Sequence, residues 1–164
     1  MKKIVGKIKR QSAVIPTRFN LDGNIEVLLI TNKDRTRWGI PKGNFEPGMT
    51  PLESAAKEAW EEGGAKGRTL LPVVGEYVYE KNGIGHLVEV YVMVETKLSG
   101  KWPEMMRRRR WCSIGDAMEL VHSRGLSEVL GLVRDRLMKE GAEEHRERAR
   151  RIYDSFLRPL GLVA

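Results

Sequence analysis

The chain has 164 residues, 41% hydrophobic and 31% charged, with a formal net charge of +7. That length suits one domain with its own core. No stretch reaches the roughly 18 continuous apolar residues of a membrane span, and the single cysteine, Cys112, excludes an internal disulfide and a thiolate metal cluster. The excess of positive charge favours anionic partners: nucleic acid, an acidic surface or a small polyphosphate. The basic start MKKIVGKIKR is not followed by an apolar stretch and cleavage signal, so a reduced, cytoplasmic setting is expected.

In chain order, Ser12 to Phe19 reads as a strand, with Pro16 suggesting an edge position or a bulge. Leu21 to Asn24 is a turn, and Ile25 to Thr31 is a β-rich apolar strand. A polar loop and a short extended piece around Trp38 to Ile40 lead to the Pro41-Lys42-Gly43 loop. The clearest helix follows. Thr50 can cap it, Pro51 suits its first position, Glu53 completes a capping box, and Gly63-Gly64 stops it. Leu70 to Lys81 and His86 to Leu98 form a pair of strands across the turn NGIG, with His86 read as an exposed turn residue. A short strand at RRWCSI precedes a helical GDAMELVH and a helix over Leu126 to Glu140 with apolar residues at helical spacing. A last amphipathic helix falls in a C-terminal extension, residues 141–164 of a single 1–164 domain. This order predicts an α/β fold, a mixed β-sheet sandwiched between helices.

One helix carries an electrostatic conflict. Glu58, Glu61 and Glu62 are spaced i, i+3, i+4 and share one face, while Leu52, Ala55, Ala56, Ala59 and Trp60 form a separate packing stripe. Like charges at that spacing repel by a few tenths of a kcal/mol per pair, more where the face is partly buried. A solvated acidic face is one reading. The other is a hard divalent cation, Mg²⁺ or Mn²⁺, accepted by several carboxylate oxygens with substrate phosphate completing its coordination. Lys42 and the backbone N–H groups around Gly43 stand just upstream, where they could hold phosphate oxygens. Carboxylates, metal and phosphate loop together suggest attack of water on a phosphoanhydride.

The stretch resembles the Nudix hydrolase signature: Gly, five residues, Glu, seven residues, then Arg-Glu-apolar-x-Glu-Glu-x-Gly-apolar. Gly43, Glu58, Glu61, Glu62 and Gly64 fall in register, with Ala59 and Ala65 at the apolar positions. Met49 and Lys57 depart, standing where Glu and Arg are expected, so Lys57 loses its usual partner unless Glu46 or Glu53 replaces it. W-x-x-P-K-G before the motif, Arg18 at a strand end, KNGIGHLVEVYVM and WPEMMRRRRW are similar to the diphosphoinositol polyphosphate and dinucleoside polyphosphate branch, over roughly residues 8–138.

The resemblance implies an α/β/α sandwich and assigns roles. Glu58 and Glu62 would bind the metal, and Glu61 would be the general base, although physical reasoning alone does not separate the three. Arg18, Lys33, Lys42 and Arg107 match positions that hold substrate phosphates, and Gly43 and Asn44 match the loop whose backbone approaches the phosphate chain. Independently, a substrate with many phosphates needs many cations around it. In the run Arg107 to Arg110, side chains alternate, so Arg107 and Arg109 face one way. The expected activity is metal-dependent hydrolysis of dinucleoside polyphosphates or diphosphoinositol polyphosphates. The alternative is a catalytically weakened module of this fold that binds RNA or a polyphosphate.

Overall fold

The structure, a computed structural model, describes residues 6–161. Seven strands make one mixed sheet: β1 (Lys9–Phe19), β2 (Ile25–Thr31), β3 (Trp38–Gly39), β4 (Lys42–Asn44), β5 (Ala65–Lys81), β6 (Ile84–Leu98) and β7 (Arg109–Ser113). The order is β3-β2-β1-β6-β5, with β4 also on β1 and β7 on β2. β1 and β6 run parallel, and the other pairs are antiparallel. Helices α1 (Pro51–Gly63), α2 (Ile114–Leu120) and α3 (Arg124–Gly131) accompany the sheet.

β1 lies in the interior of the sheet, not at its edge. It is wholly buried from Gln11 to Thr17, with an apolar centre from Ala13 to Pro16, as a strand covered on both faces should be. Pro16 is tolerated there because β1 changes partners. β4 pairs with residues 11–13 and β2 with residues 17–19, so Pro16 falls in the gap between them.

The two faces of the sheet are covered by different helices. Ala55 and Ala59 of α1 pack with Val14, Leu28, Tyr91 and Met93 in one fully buried cluster. On the opposite face α3 approaches β5 so closely that a Cβ on Gly125 would lie 2.8 Å from Cβ of Tyr77. The result is the helix–sheet–helix arrangement that the element order predicts.

The capping box of α1 forms as its sequence dictates. The Thr50 hydroxyl accepts the Glu53 N–H at 3.2 Å, the Glu53 carboxylate accepts the Thr50 N–H at 2.9 Å, and Gly64 ends the helix at φ +61°. At the β5–β6 hairpin, Asn82 and Gly83 both take positive φ, 52° and 74°, as a two-residue primed turn requires. β6 therefore starts at Ile84, and His86 is buried within the sheet rather than exposed in the turn.

The helical segment expected to end at Glu140 breaks at Leu132 instead. Helix α4 (Val133–Ile152) then runs on without interruption. The chain divides into two compact units between Val133 and Arg134. The second unit contains the rest of α4, a wide turn (Tyr153–Leu157) and a short 3₁₀ turn (Arg158–Leu160). Within it, ion pairs such as Arg136–Glu140 at 3.1 Å link successive turns of the helix.

Candidate functional site

Three segments converge: β4, the outer face of α1, and the connection from Ser99 to Arg108. Pairing of Ser12 with Gly43 turns the α-carbon of Gly43 toward α1. A Cβ there would lie 2.2 Å from Oε1 of Glu58, so only glycine lets the carboxylate reach the backbone. Next to it the main-chain N–H of Lys42 donates to Oε2 of Glu62 at 3.3 Å. Strand alternation sends the Lys42 side chain to the other face, where its ammonium sits 5.3 Å from the centroid of the Tyr79 ring. The Tyr79 hydroxyl donates to Oε1 of Gln11 at 2.6 Å, and the Gln11 amide donates to Oδ1 of Asn44 at 3.1 Å. His86 stacks on Tyr79 with centroids 4.7 Å apart. Lys42 and Asn44 thus stand on a braced strand.

The Ser99–Arg108 connection is laced to the end of α1. Trp102 donates its indole N–H to the Glu62 carbonyl at 3.1 Å, and the Glu104 N–H donates to the Glu61 carbonyl at 2.9 Å. The Arg107 guanidinium donates to the Thr31 carbonyl and to Oε1 of Glu104, both at 3.0 Å, and lies 3.4 Å from Oε1 of Glu62. Lys33 reaches within 4.0 Å of the same Glu104 oxygen. The side chains of Arg107 and Glu62 are only 11% and 12% exposed, so this pair is largely withdrawn from water.

Burial and crowding decide the protonation of the acids. Glu58 is pushed up to about 7, first by burial and then by the negative charges of Glu62, Glu61 and Glu104. Glu62 is also pushed up to about 7, by burial, which outweighs the pull of Arg107 and Lys42. Lys42 is lowered, again chiefly by burial, with Glu62 opposing the shift.

Lys57 finds the partner that Met49 cannot offer. Its ammonium is 2.5 Å from Oε1 of Glu46 and 3.4 Å from Oε1 of Glu61. Glu53 is engaged in the capping box. The buried Ser54 hydroxyl accepts the Glu46 N–H at 3.2 Å, tying the same loop to the helix.

Among the described residues, no three His, Cys, Asp or Glu side chains already stand together as an ion's ligand set. The chemistry of the acids still fits a hard divalent cation. Glu58 lies in a cradle that a Cβ would fill, and burial and neighbouring carboxylates oppose its ionisation. A bound cation reverses that opposition. Glu58 and Glu62, both against the β4 backbone, could hold such an ion.

The structure therefore brings together Glu58, Glu62, the Lys42 backbone, Gly43 and Arg107, with Lys33 and Asn44 at the margins. Glu61 leans toward Lys57. Arg18 stands elsewhere: it pairs with Glu26 at 2.9 Å and covers the Trp111 ring at 4.3 Å, five residues further along β1 than the partner of Lys42. Sequence reasoning missed Glu104. Its signal was faint, the lone acid between Glu95 and Asp116 in a strongly cationic stretch.

The family model described as NUDIX domain matches residues 9–130. Diphosphoinositol polyphosphate phosphohydrolase 2 of Rattus norvegicus is 31% identical over 107 residues, covering 63% of this chain and 58% of that protein. Nudix hydrolase 12, mitochondrial, of Arabidopsis thaliana is 31% identical over 135 residues, covering 73% of this chain and 66% of that protein. The chain thus spans about three fifths of the length of the first of these relatives. In fold it is similar to the C. elegans Ap4A hydrolase binary complex, with a TM-score of 0.57 and 19% identity over 80% of this chain and 98% of that one. Among the described residues, no helix is long and apolar enough to cross a membrane.

Proposed function

Because the chain belongs to the NUDIX domain family, we propose that it hydrolyses phosphoanhydride bonds of small polyphosphorylated substrates with the help of Mg²⁺ or Mn²⁺. The observation that carries this reading is the contact of the Glu58 carboxylate with the Gly43 backbone beside the Lys42 N–H held by Glu62. It places two acids against the strand proposed to receive phosphate. Glu58 and Glu62 would hold the metal, which when bound would polarise the phosphoanhydride and acidify the attacking water. Glu61 is the proposed base. Water attacks a phosphorus of the anhydride, its proton passes to the Glu61 carboxylate, and the bridging P–O bond breaks with its electron pair leaving on the departing phosphate. Lys42, Lys33 and Arg107 are proposed to balance substrate charge, with Gly43 and Asn44 shaping the strand that meets it. Arg18, engaged with Glu26 and Trp111, would join only by releasing them.

Two substrate groups stay within the proposal. Relatives named diphosphoinositol polyphosphate phosphohydrolases support one, and the fold likeness to an Ap4A hydrolase is compatible with the other. The alternative of a weakened binding module rests on Met49, where the family has Glu, and on the basic C-terminal tail. The Lys57–Glu46 pair supports an intact loop in its place. The test is incubation with Mg²⁺ and a panel of diadenosine polyphosphates, diphosphoinositol phosphates, nucleotide sugars and nucleoside triphosphates. Turnover of a member of the first two groups is expected. No turnover of any, with retained RNA binding, overturns the hydrolase reading.

A further inference from the structure

A second concentration of like charge lies on the other flank of α1. At about 100° per residue, Trp60 projects about 180° around the helix from the Glu58–Glu62 edge. There it lines a solvent-open cavity of about 650 Å³ with Lys66, Arg68, Glu95, Lys97 and Leu98. In the β5–β6 register Lys66 is directly opposite Lys97. Directly opposed like charges on an antiparallel pair are destabilising, so nothing in sheet pairing itself favours this arrangement.

The local backbone is built around the same spot. The register slips by one residue between Lys66 and Arg68, a β-bulge. Gly67 is held so tightly in it that a Cβ would lie 2.5 Å from the Val94 carbonyl oxygen. Across from it Glu95 takes φ +55°, a conformation that side-chain-bearing residues rarely adopt. The bulge re-aims Glu95 toward Arg68, with the two charges 3.7 Å apart. Lys66 is held from the other side, its ammonium 4.4 Å from the centroid of the Trp60 ring. The opposed lysines set two positive charges on the cavity. A phosphate group carries about −1.5 to −2 near neutral pH. The volume lies within the roughly 300–1,000 Å³ of small-ligand sites, and Trp60 and Leu98 offer an apolar wall to whatever carries the phosphate.

We propose that the cavity between Trp60 and the opposed Lys66–Lys97 pair is a phosphate-binding site, separate from the carboxylate site. The phosphate oxygens bridge Lys66 and Lys97.

The test follows the Trp60 indole N–H resonance, assigned with Trp60→Phe, as inorganic phosphate or adenosine monophosphate is added to the whole chain in EDTA. A saturable shift is expected with at least one of them. Phosphate as tight as the nucleotide identifies a free-phosphate site; a tighter nucleotide identifies a phosphoester site. Both uphold the proposal. Lys66→Gln and Lys97→Gln should each weaken binding about tenfold, and their hydrolase turnover should stay at the wild-type level. No saturable shift, or a shift whose midpoint is the same in the double variant, overturns it. These are surface changes on exposed lysines, and circular dichroism confirms that the variants fold before titration.

Discussion

The raised proton affinity of Glu62 predicts an unusual dependence of stability on pH. An ordinary carboxyl has the same affinity folded and unfolded. Glu62 goes from 4.5 to about 7 on folding, so the folded chain keeps a proton that the unfolded chain has released. Between those values the unfolded state binds fewer protons, and stability falls as pH rises. The contribution is intact below about pH 4.5 and is lost by the time pH passes about 7. A rise of about 2.5 in pKa at about 1.4 kcal/mol each corresponds to a loss of ~3 kcal/mol. The side chain is only 12% exposed, which leaves little screening to discount. Glu58 shifts in the same sense but is more open to water, so its share is smaller.

Glu62→Gln isolates the effect, since the amide cannot ionise. In EDTA the variant should match the wild type near pH 5 and exceed it in stability near pH 8 by most of that ~3 kcal/mol, or about 6–12 °C in melting temperature for a chain of this size. Urea or thermal unfolding at the two pH values measures it. Parallel pH profiles for the two proteins would mean that Glu62 titrates normally in the fold, and the predicted loss would not exist.

Adding Mg²⁺ should stabilise the wild type more near pH 8 than near pH 5, where protons compete for the carboxylates, and a pH-independent shift in melting temperature would count against Glu58 and Glu62 as ligands. The same Glu62→Gln change should lower turnover about a hundredfold or more while leaving the fold intact, and wild-type-like rates would remove Glu62 from the metal site. Gly43→Ala should displace the Glu58 carboxylate, costing about 1–3 kcal/mol in denaturant unfolding and weakening Mg²⁺ binding by titration calorimetry; unchanged affinity would separate the cradle from the metal. Glu46→Gln and Lys57→Met should each reduce turnover, and the double variant no further than either alone; additive losses would show that the pair does not act as a unit. Raising salt should raise KM if Lys33 and Lys42 act on substrate through charge, and a flat response would exclude them.

The parts of this fold that local chemistry dictates were legible in the sequence. The capping box, the Gly64 stop and the hairpin turn each rest on a few adjacent residues whose conformational demands allow little else. The acidic face of α1 was legible because helical spacing fixes it. What escaped depended on partners distant in sequence. Nothing near Pro16 reveals that β1 changes partners there. Whether Lys57 takes Glu46 or Glu53 depends on the loop folding back over Ser54. Glu104 is ordinary until its N–H meets the Glu61 carbonyl and its carboxylate meets Arg107. His86 was misplaced by two residues of turn, enough to move it from solvent into the stack on Tyr79.

The two flanks of α1 follow one electrostatic logic with opposite signs. On one edge, acids are held where burial and their neighbours resist ionisation. On the other, two lysines face each other across a ladder that disfavours them. Packing requires neither arrangement, since Ala55 and Ala59 already bury the stripe between the flanks. The glycines point the same way. Gly43 and Gly67 each admit a contact that a Cβ would block, and each lies beside one of the charged groups. Both are the arrangements expected if each flank meets an ion of the other sign, as proposed. Both flanks count only if the repulsion is real in the folded protein, so the pH profile of Glu62 bears on more than one carboxylate. A normal profile would mean that water already relaxes the acidic edge, and the same relaxation would then be available to the more exposed lysines opposite.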